Sequence, residues 1–358
     1  MDAARSLRDH GLRIGTLEPG PANSIADVAG VTVGHVTVAR DEPGPPEGRG
    51  IARSGVTAVV PAPLASLHAE PMAAGTAVLN GAGELTGSLE IAEWGELATP
   101  VYLTATMSVG RVYDGAVAAA VAADPKVGVD DVVIPVVGEC DDSWLNDARV
   151  VQVEAEDAGR AVKEASAEVG EGAVGAGTGM VCFDWKGGIG SSSRVTGEGH
   201  TVGVLVLANF GVRSELRVDG VPVGRLLEGQ ASRSVPAGSC IAVVATDAPL
   251  GSAQLTRVAR RAGLGLARTG SVAHHGSGEI FVAFSTSARA PFGEPTPPTL
   301  PDTQLDALFQ ATVEATEEAV LDSLWRAETT RGREGRVVER LPHEPVLELL
   351  AEHGRLRG

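Results

Sequence analysis

Val235-Pro-Ala-Gly-Ser-Cys-Ile-Ala-Val-Val-Ala-Thr-Asp-Ala-Pro-Leu250 joins a turn to a buried strand. Pro236, Ala237 and Gly238 make the turn. Cys240 to Ala245 is an apolar, β-branched run of strand length. Thr246-Asp247-Ala248-Pro249 stops it. Ser239 therefore stands at the mouth of an interior strand. A serine hydroxyl is a poor nucleophile without a base beside it. No histidine follows at a spacing that suggests a Ser-His-Asp triad, although triads are defined by geometry and not by order. A cut between Gly238 and Ser239 supplies another base. Ser239 would then begin a chain, and its own α-amine has an ordinary pKa of about 7.7–8.0, well placed for proton transfer. Gly238 leaves the carbonyl open to the hydroxyl. On composition alone, a Gly-Ser before a strand is more often a plain turn.

The rest of the chain narrows the class. It has 358 residues, enough for one large domain or two average ones, and 43% of them are hydrophobic. Only 3% are aromatic, so the core must come from Ala, Val, Leu, Ile and Gly, and base-stacking surfaces are not expected. A net charge of −17 disfavours nucleic acid and anionic membranes as partners. Three cysteines, Cys140, Cys182 and Cys240, form no CxxC pair and suit a reducing compartment. The first ten residues lack a signal-peptide core, and no apolar run reaches the ~18–20 residues of a membrane span. Cytoplasm is the expected location.

Taken in order, short β-prone pieces at 24–28 and 30–38 precede strands at 55–61 and 75–79. His35, alone in the second piece, is read as structural. Asn80 to Gly87 is glycine-rich but lacks P-loop spacing. Helices are expected at 88–94, 109–123, 156–169, 252–268, 302–326 and 344–353. The last long one should bury Leu305, Phe309, Val313, Val320 and Leu324. Glu139-Cys-Asp-Asp-Ser-Trp-Leu-Asn-Asp147 gathers four acids and a cysteine without a histidine, which suits a turn better than a metal site. His274-His275 is equally weak evidence for zinc. Thr201 to Ala208 is an apolar strand ending in Asn209. A buried amide there is either a satisfied cap or a donor aimed at an oxyanion. Asp219-Gly220 reads as a hairpin turn and 229–238 as an exposed linker.

These segments together resemble the DmpA/β-aminopeptidase family, the self-processing N-terminal-nucleophile aminopeptidases of peptidase family S58. The resemblance rests on Ser239–Leu250, Gly276-Ser-Gly-Glu279, Pro21–Val36, Gly175–Gly190, Glu139–Asp147 and Glu328–Arg336, and spans roughly Pro21 to His343. It implies an α+β fold, a four-layer αββα sandwich, assembled as a homotetramer of αβ heterodimers. It implies one catalytic domain cleaved into an α-chain, 1–238, and a β-chain, 239–358. By resemblance, Ser239 is the nucleophile, Asn209 the oxyanion donor, and Ser277 and Glu279 support the nucleophile's amine and hydroxyl. The substrates implied are small peptides, amides or esters, with no metal or organic cofactor. The family's tyrosine in Glu-Thr-Tyr-Asp is Asp141 here, where an acid would bind a substrate ammonium. Acyl transfer of the ornithine acetyltransferase type is an alternative, disfavoured by Ser in place of Thr. A non-processing relative that only binds small molecules is another.

Overall fold

The computed structural model describes residues 6–227, 238–291, 294 and 297–357. The expected linker lies outside the described residues except for Gly238. Two sheets pack face to face. In the first, the order is β1 (Thr32–Asp41), β2 (Ile51–Val60), β5 (Val101–Ala105) and β6 (Val136–Cys140). In the second it is β4 (Glu96–Leu97), β3 (Met72–Gly81), β12 (Gly278–Arg289), β11 (Cys240–Thr246), β10 (Thr201–Ala208) and β9 (Gly188–Val195). β11 runs parallel to β12 and antiparallel to β10.

Period-two alternation sends side chains to both faces of the second sheet. Leu205, Leu207, Ile241, Val243, Val282 and Phe284 enter the core between the sheets and meet Val59, Val101, Leu103 and Val136. Val204, Val206, Ala242, Val244 and Phe281 face outward, into a core shared with α6 (Ser252–Arg268) and α7 (Leu305–Trp325). Val36, Ala58, Tyr102 and Val137 of the first sheet are covered by α3 (Val109–Ala123) and α4 (Glu156–Lys163). The layers are helix, sheet, sheet, helix. With both faces of the second sheet covered, its strands read as unbroken apolar runs. The low aromatic content has a steric counterpart. A Cβ on Gly34 would fall on the Ala161 carbonyl, and one on Gly190 on the Ala319 carbonyl, so helices approach strands at backbone distance. Short helices α1 (Leu64–Leu67), α2 (Ser88–Trp94), α5 (Val223–Leu226) and α8 (His343–Glu352) complete the fold. So do two ribbons, β7 (Val181–Cys182) with β8 (Trp185–Lys186), and β13 (Thr330–Arg331) with β14 (Val337–Val338).

Three expectations change. Residues 25–27 form a 3-10 turn capped by Ser24, not an extended piece. α4 stops at Lys163 and not at Val169, because Ser166 exchanges two backbone hydrogen bonds with Val33. α7 is buried on nearly every side, including Asp322 and Glu314, Glu317 and Glu318, and these three glutamates face arginines in place of solvent. The hairpin turn at Asp219-Gly220 stands, with both residues at positive φ. No described helix is long and apolar enough to cross a membrane.

Candidate active site

Four strand ends converge at one end of the six-stranded sheet. Asn209 follows β10, Ser239 precedes β11, Ser277 and Glu279 open β12, and Asn80 closes β3. Register holds them together: Cys240 pairs with both Ala208 and Glu279, and Glu279 pairs with Asn80.

Ser239 is buried, and its Oγ accepts a hydrogen bond from Gly278 N at 3.2 Å. Its carbonyl accepts from Asn209 N at 3.1 Å. Among the described residues no histidine hydrogen-bonds to Ser239, and His274 Nε2 instead meets Glu215 Oε1 at 2.9 Å. Gly238 is glycine for reasons of space. A Cβ there would fall on the Asn209 carbonyl oxygen and lie 2.7 Å from Asn209 Nδ2. The Asn209 amide is therefore beside the Gly238–Ser239 junction.

The orientation of that amide is fixed at both ends. Oδ1 accepts from Val181 N at 2.8 Å, and Nδ2 donates to the Asp141 carbonyl at 2.9 Å. Among the described residues, one N–H of the NH₂ group is left for another acceptor. Val181 belongs to the β7–β8 ribbon, whose turn residues Phe183 and Asp184 both have positive φ, a costly conformation for a bulky residue. Packing and hydrogen bonds hold it. Phe183 meets Phe210 edge-to-face, and Phe183 N donates to the Phe210 carbonyl at 2.7 Å. Lys186, fully buried, donates from Nζ to the carbonyls of Gly177, Met180 and Gly187 at 3.0, 2.9 and 2.6 Å. Burial pulls its pKa down to about 7, while three acceptors match the three donors of an ammonium.

Ser277 Oγ donates to Glu279 Oε1. Burial lifts the Glu279 pKa, against the opposing pull of Ser277 and Asn80. The Asn80 amide lies close enough to favour the charge, yet among the described residues Oε2 completes no hydrogen bond. A buried carboxylate oxygen without a donor is poised for a cationic one.

Ser239 lines a cavity of about 740 Å³ with Glu84, Glu139, Asp141, Arg149 and Arg333. A second hollow of about 280 Å³ is lined by Gly238, Ser277 and Glu279. Glu139 accepts from Thr106 Oγ1 and, at 3.0 Å, from Glu84 N. Its pKa is raised chiefly by burial, with Asp141 and Glu84 adding to the rise. Asp141 is exposed on the cavity wall, and its carboxylate closes a turn onto Ser143 N and Oγ at 2.8 and 3.0 Å. Among the described residues, no group of three or more His, Cys, Asp or Glu is placed to hold a metal ion.

All six residues singled out from the sequence, Gly238, Ser239, Asn209, Ser277, Glu279 and Asp141, are thus gathered around one junction. Glu139 and Lys186 join them unannounced. Glu139 heads the same acidic segment as Asp141. Lys186 stands in a glycine-rich run, and nothing in its spacing shows that carbonyls surround it. His35 is structural, as expected: its Nδ1 lies 2.9 Å from Thr57 Oγ1, and burial lowers its pKa to about 4.

The profile of peptidase family S58 matches residues 23–338. The chain belongs to peptidase family S58. It is 41% identical to the beta-peptidyl aminopeptidase BapA of Sphingosinicella microcystinivorans, over 95% of this chain and 90% of that protein. A solved beta-aminopeptidase from a Burkholderia species superposes with a TM-score of 0.89 at 41% identity, covering 98% of this chain and 99% of that one. The L-aminopeptidase D-Ala-esterase/amidase of Ochrobactrum anthropi, described as a prototype serine aminopeptidase and a variant of the Ntn hydrolase fold, superposes with a TM-score of 0.90 at 37% identity, with 98% and 99% coverage. Like its S58 relatives, the chain is a hydrolase of the aminopeptidase type. The similarity favours hydrolysis over the acyl-transfer alternative.

Proposed function

We propose that the protein cuts itself between Gly238 and Ser239 and then works as an aminopeptidase on the exposed serine. Ser239 Oγ attacks the Gly238 carbonyl carbon, the Gly238–Ser239 C–N bond breaks, and the acyl group moves to oxygen. Water hydrolyses that ester, leaving a Gly238 carboxylate and a free Ser239 α-amine. The amine then serves as base for the hydroxyl of its own residue, near its ordinary pKa of about 7.7–8.0. In turnover, Oγ attacks the first carbonyl of a small peptide, amide or ester. The spare Asn209 N–H meets the oxyanion. The Ser239 ammonium protonates the leaving group, and water releases the amino acid from the acyl-enzyme. Ser277 and the open oxygen of Glu279 hold the Ser239 amine. Glu139 and Asp141 receive the substrate's ammonium.

One observation carries this reading. Ser239 Oγ is buried beside Gly238 and the Asn209 amide, facing a cavity, without a histidine partner among the described residues. N-terminal sequencing of the fragments on a denaturing gel tests it. Two fragments, the smaller beginning at Ser239, together with amino-acid p-nitroanilide hydrolysis, are expected. Ser239→Ala should give one unbroken band and no turnover. An unbroken wild-type chain that still hydrolyses these substrates overturns the proposal, and an unbroken, inactive one favours a binding protein. We further propose a cytoplasmic homotetramer of cleaved protomers. Exposed Val78, Leu79, Met107 and Leu264 offer apolar surface for association.

A further inference from the structure

The cavity wall is electrically two-sided. On the side next to the nucleophile stand acids that, among the described residues, form no ion pair. Glu139 is held by a hydroxyl and a backbone N–H, Asp141 by Ser143, and Glu84 adds a third carboxylate. Glu139 is one residue's width from the nucleophile. A Cβ on Gly83 would lie 3.0 Å from Glu139 Oε1 and 3.6 Å from Gly278 Cα, and Gly278 N donates to Ser239 Oγ at 3.2 Å.

Beyond the Asp141–Asp147 turn the sign reverses. Arg333 is anchored through its backbone N to the Leu145 carbonyl at 2.8 Å. Arg336 stacks on Trp144, its Cζ 4.2 Å from the ring centre. Arg149 forks onto Asp147 with bonds of 2.8 and 2.6 Å, and Arg333 and Arg336 share Glu334 at 2.5 Å each. Three guanidinium groups thus face two carboxylates, an excess of one positive charge. Arg149 and Arg333 reach the cavity that Ser239 lines. A guanidinium forked to one carboxylate still has N–H donors for a second.

We propose that the leaving-group side of this cavity recognises a free carboxylate one residue past the scissile bond, so that the preferred substrate is a zwitterionic dipeptide. This rests on the aminopeptidase site proposed above. The substrate's ammonium meets Glu139, its scissile carbonyl meets Ser239 and Asn209, and its terminal carboxylate meets Arg149 and Arg333 in a charge-assisted contact. Blocking that carboxylate as an amide removes the contact and leaves the reacting bond unchanged.

The test compares β-alanyl-leucine and L-alanyl-leucine, each as free acid and as C-terminal amide, with the purified protein. The acid should be preferred at least threefold in kcat/KM, mainly through a lower KM. The preference should shrink when NaCl is raised from 20 to 500 mM, and it should vanish in Arg149→Gln/Arg333→Gln. An acid-to-amide ratio below threefold, a ratio insensitive to salt, or a ratio kept by the double variant overturns the assignment. The salt series needs no variant, so a double variant that fails to fold leaves the test intact. Hydrolysis of amino-acid p-nitroanilides with none of the four dipeptides turned over sinks the dipeptide assignment and spares the peptidase. No turnover of any of them sinks the peptidase reading itself.

Discussion

Asn209 performs three tasks with one amide, and that fixes what its loss should look like. Its Oδ1 ties down the ribbon at Val181, one N–H ties down the loop at Asp141, and among the described residues the other N–H is spare. A donor that meets charge only as it develops lowers the barrier without tightening ground-state binding. Asn209→Ala should therefore lower kcat by roughly 10²–10³-fold while KM moves far less. Steady-state kinetics on one p-nitroanilide checks this, and a loss expressed mainly in KM contradicts it. Gly238 is constrained by the same side chain. A methyl group there would strike the Asn209 carbonyl, so Gly238→Ala must displace the junction or the donor. A misplacement of ~1 Å costs about 10²-fold in a positioned reaction. Fragment formation in that variant, followed on a gel over time, should be slower by at least tenfold. Wild-type processing would show that the crowding at Gly238 is not transmitted to the reaction.

At the scale of elements, the strand ends were the most legible part of the sequence. A hydroxyl just before a buried apolar run, an amide just after one, and Ser-x-Glu at the start of a third are visible because period and polarity change at those residues. Lys186 was not legible. Two glycines follow it, and its partners are three carbonyls, which every residue carries. Glu139 was visible only as one acid among four, because its hydroxyl partner Thr106 is distant in sequence. The end of α4 was hidden for a similar reason, since the pairing of Ser166 with Val33 is long-range. The charges on α7 look like a solvated face until Arg8 and Arg194 arrive from elsewhere. Lys186 yields a prediction at this scale. The Gly177 and Met180 carbonyls also accept from Met180 N and Gly187 N, so replacing it with Met leaves chiefly the Gly187 carbonyl without a donor, and an unsatisfied buried group costs about 1–3 kcal/mol. Lys186→Met should therefore lose about 1–3 kcal/mol in denaturant unfolding. It should also lose kcat, because the ribbon carrying Val181 N loosens its hold on Asn209. Unchanged stability would mean that another donor or water replaces the ammonium.

Across the whole molecule, buried charge ties the amino-terminal segment to the central helix. Arg8 forks onto Glu318 at 2.9 and 2.7 Å, Asn23 Nδ2 donates to the same carboxylate at 2.9 Å, and fully buried Arg194 reaches Glu318 and Glu314 from β9. Burial pushes Glu318 up, but Arg8 and Arg194 outweigh it and leave its pKa below the ordinary glutamate value. Glu171 and Asp322 fare differently. Burial raises Glu171 to about 7, opposed by Ser191 N–H and Arg326, and burial together with Glu171 and Glu318 raises Asp322. The signs then follow. Glu171 keeps its proton in the folded protein up to about pH 7, whereas the unfolded chain releases it near the ordinary glutamate value of 4.5. Between those values the folded state binds more protons, so stability falls as pH rises, by at most about 3 kcal/mol from this group. Asp322 adds a fall of the same sign. The contribution of Glu318 runs the other way and is lost only as pH drops through its depressed pKa. The Glu171 contribution is therefore full below about pH 4.5 and gone above about pH 7, whereas buried His35 and Lys186, with pKa values lowered to about 4 and about 7, add contributions that grow with pH, so only a comparison with a variant isolates Glu171. Glu171→Gln retains an acceptor for Ser191 N–H and cannot ionise. Its melting temperature should gain a few degrees on that of the wild type between pH 5 and 8. Parallel curves for the two proteins would show that this carboxyl is already ionised in the folded state at pH 5.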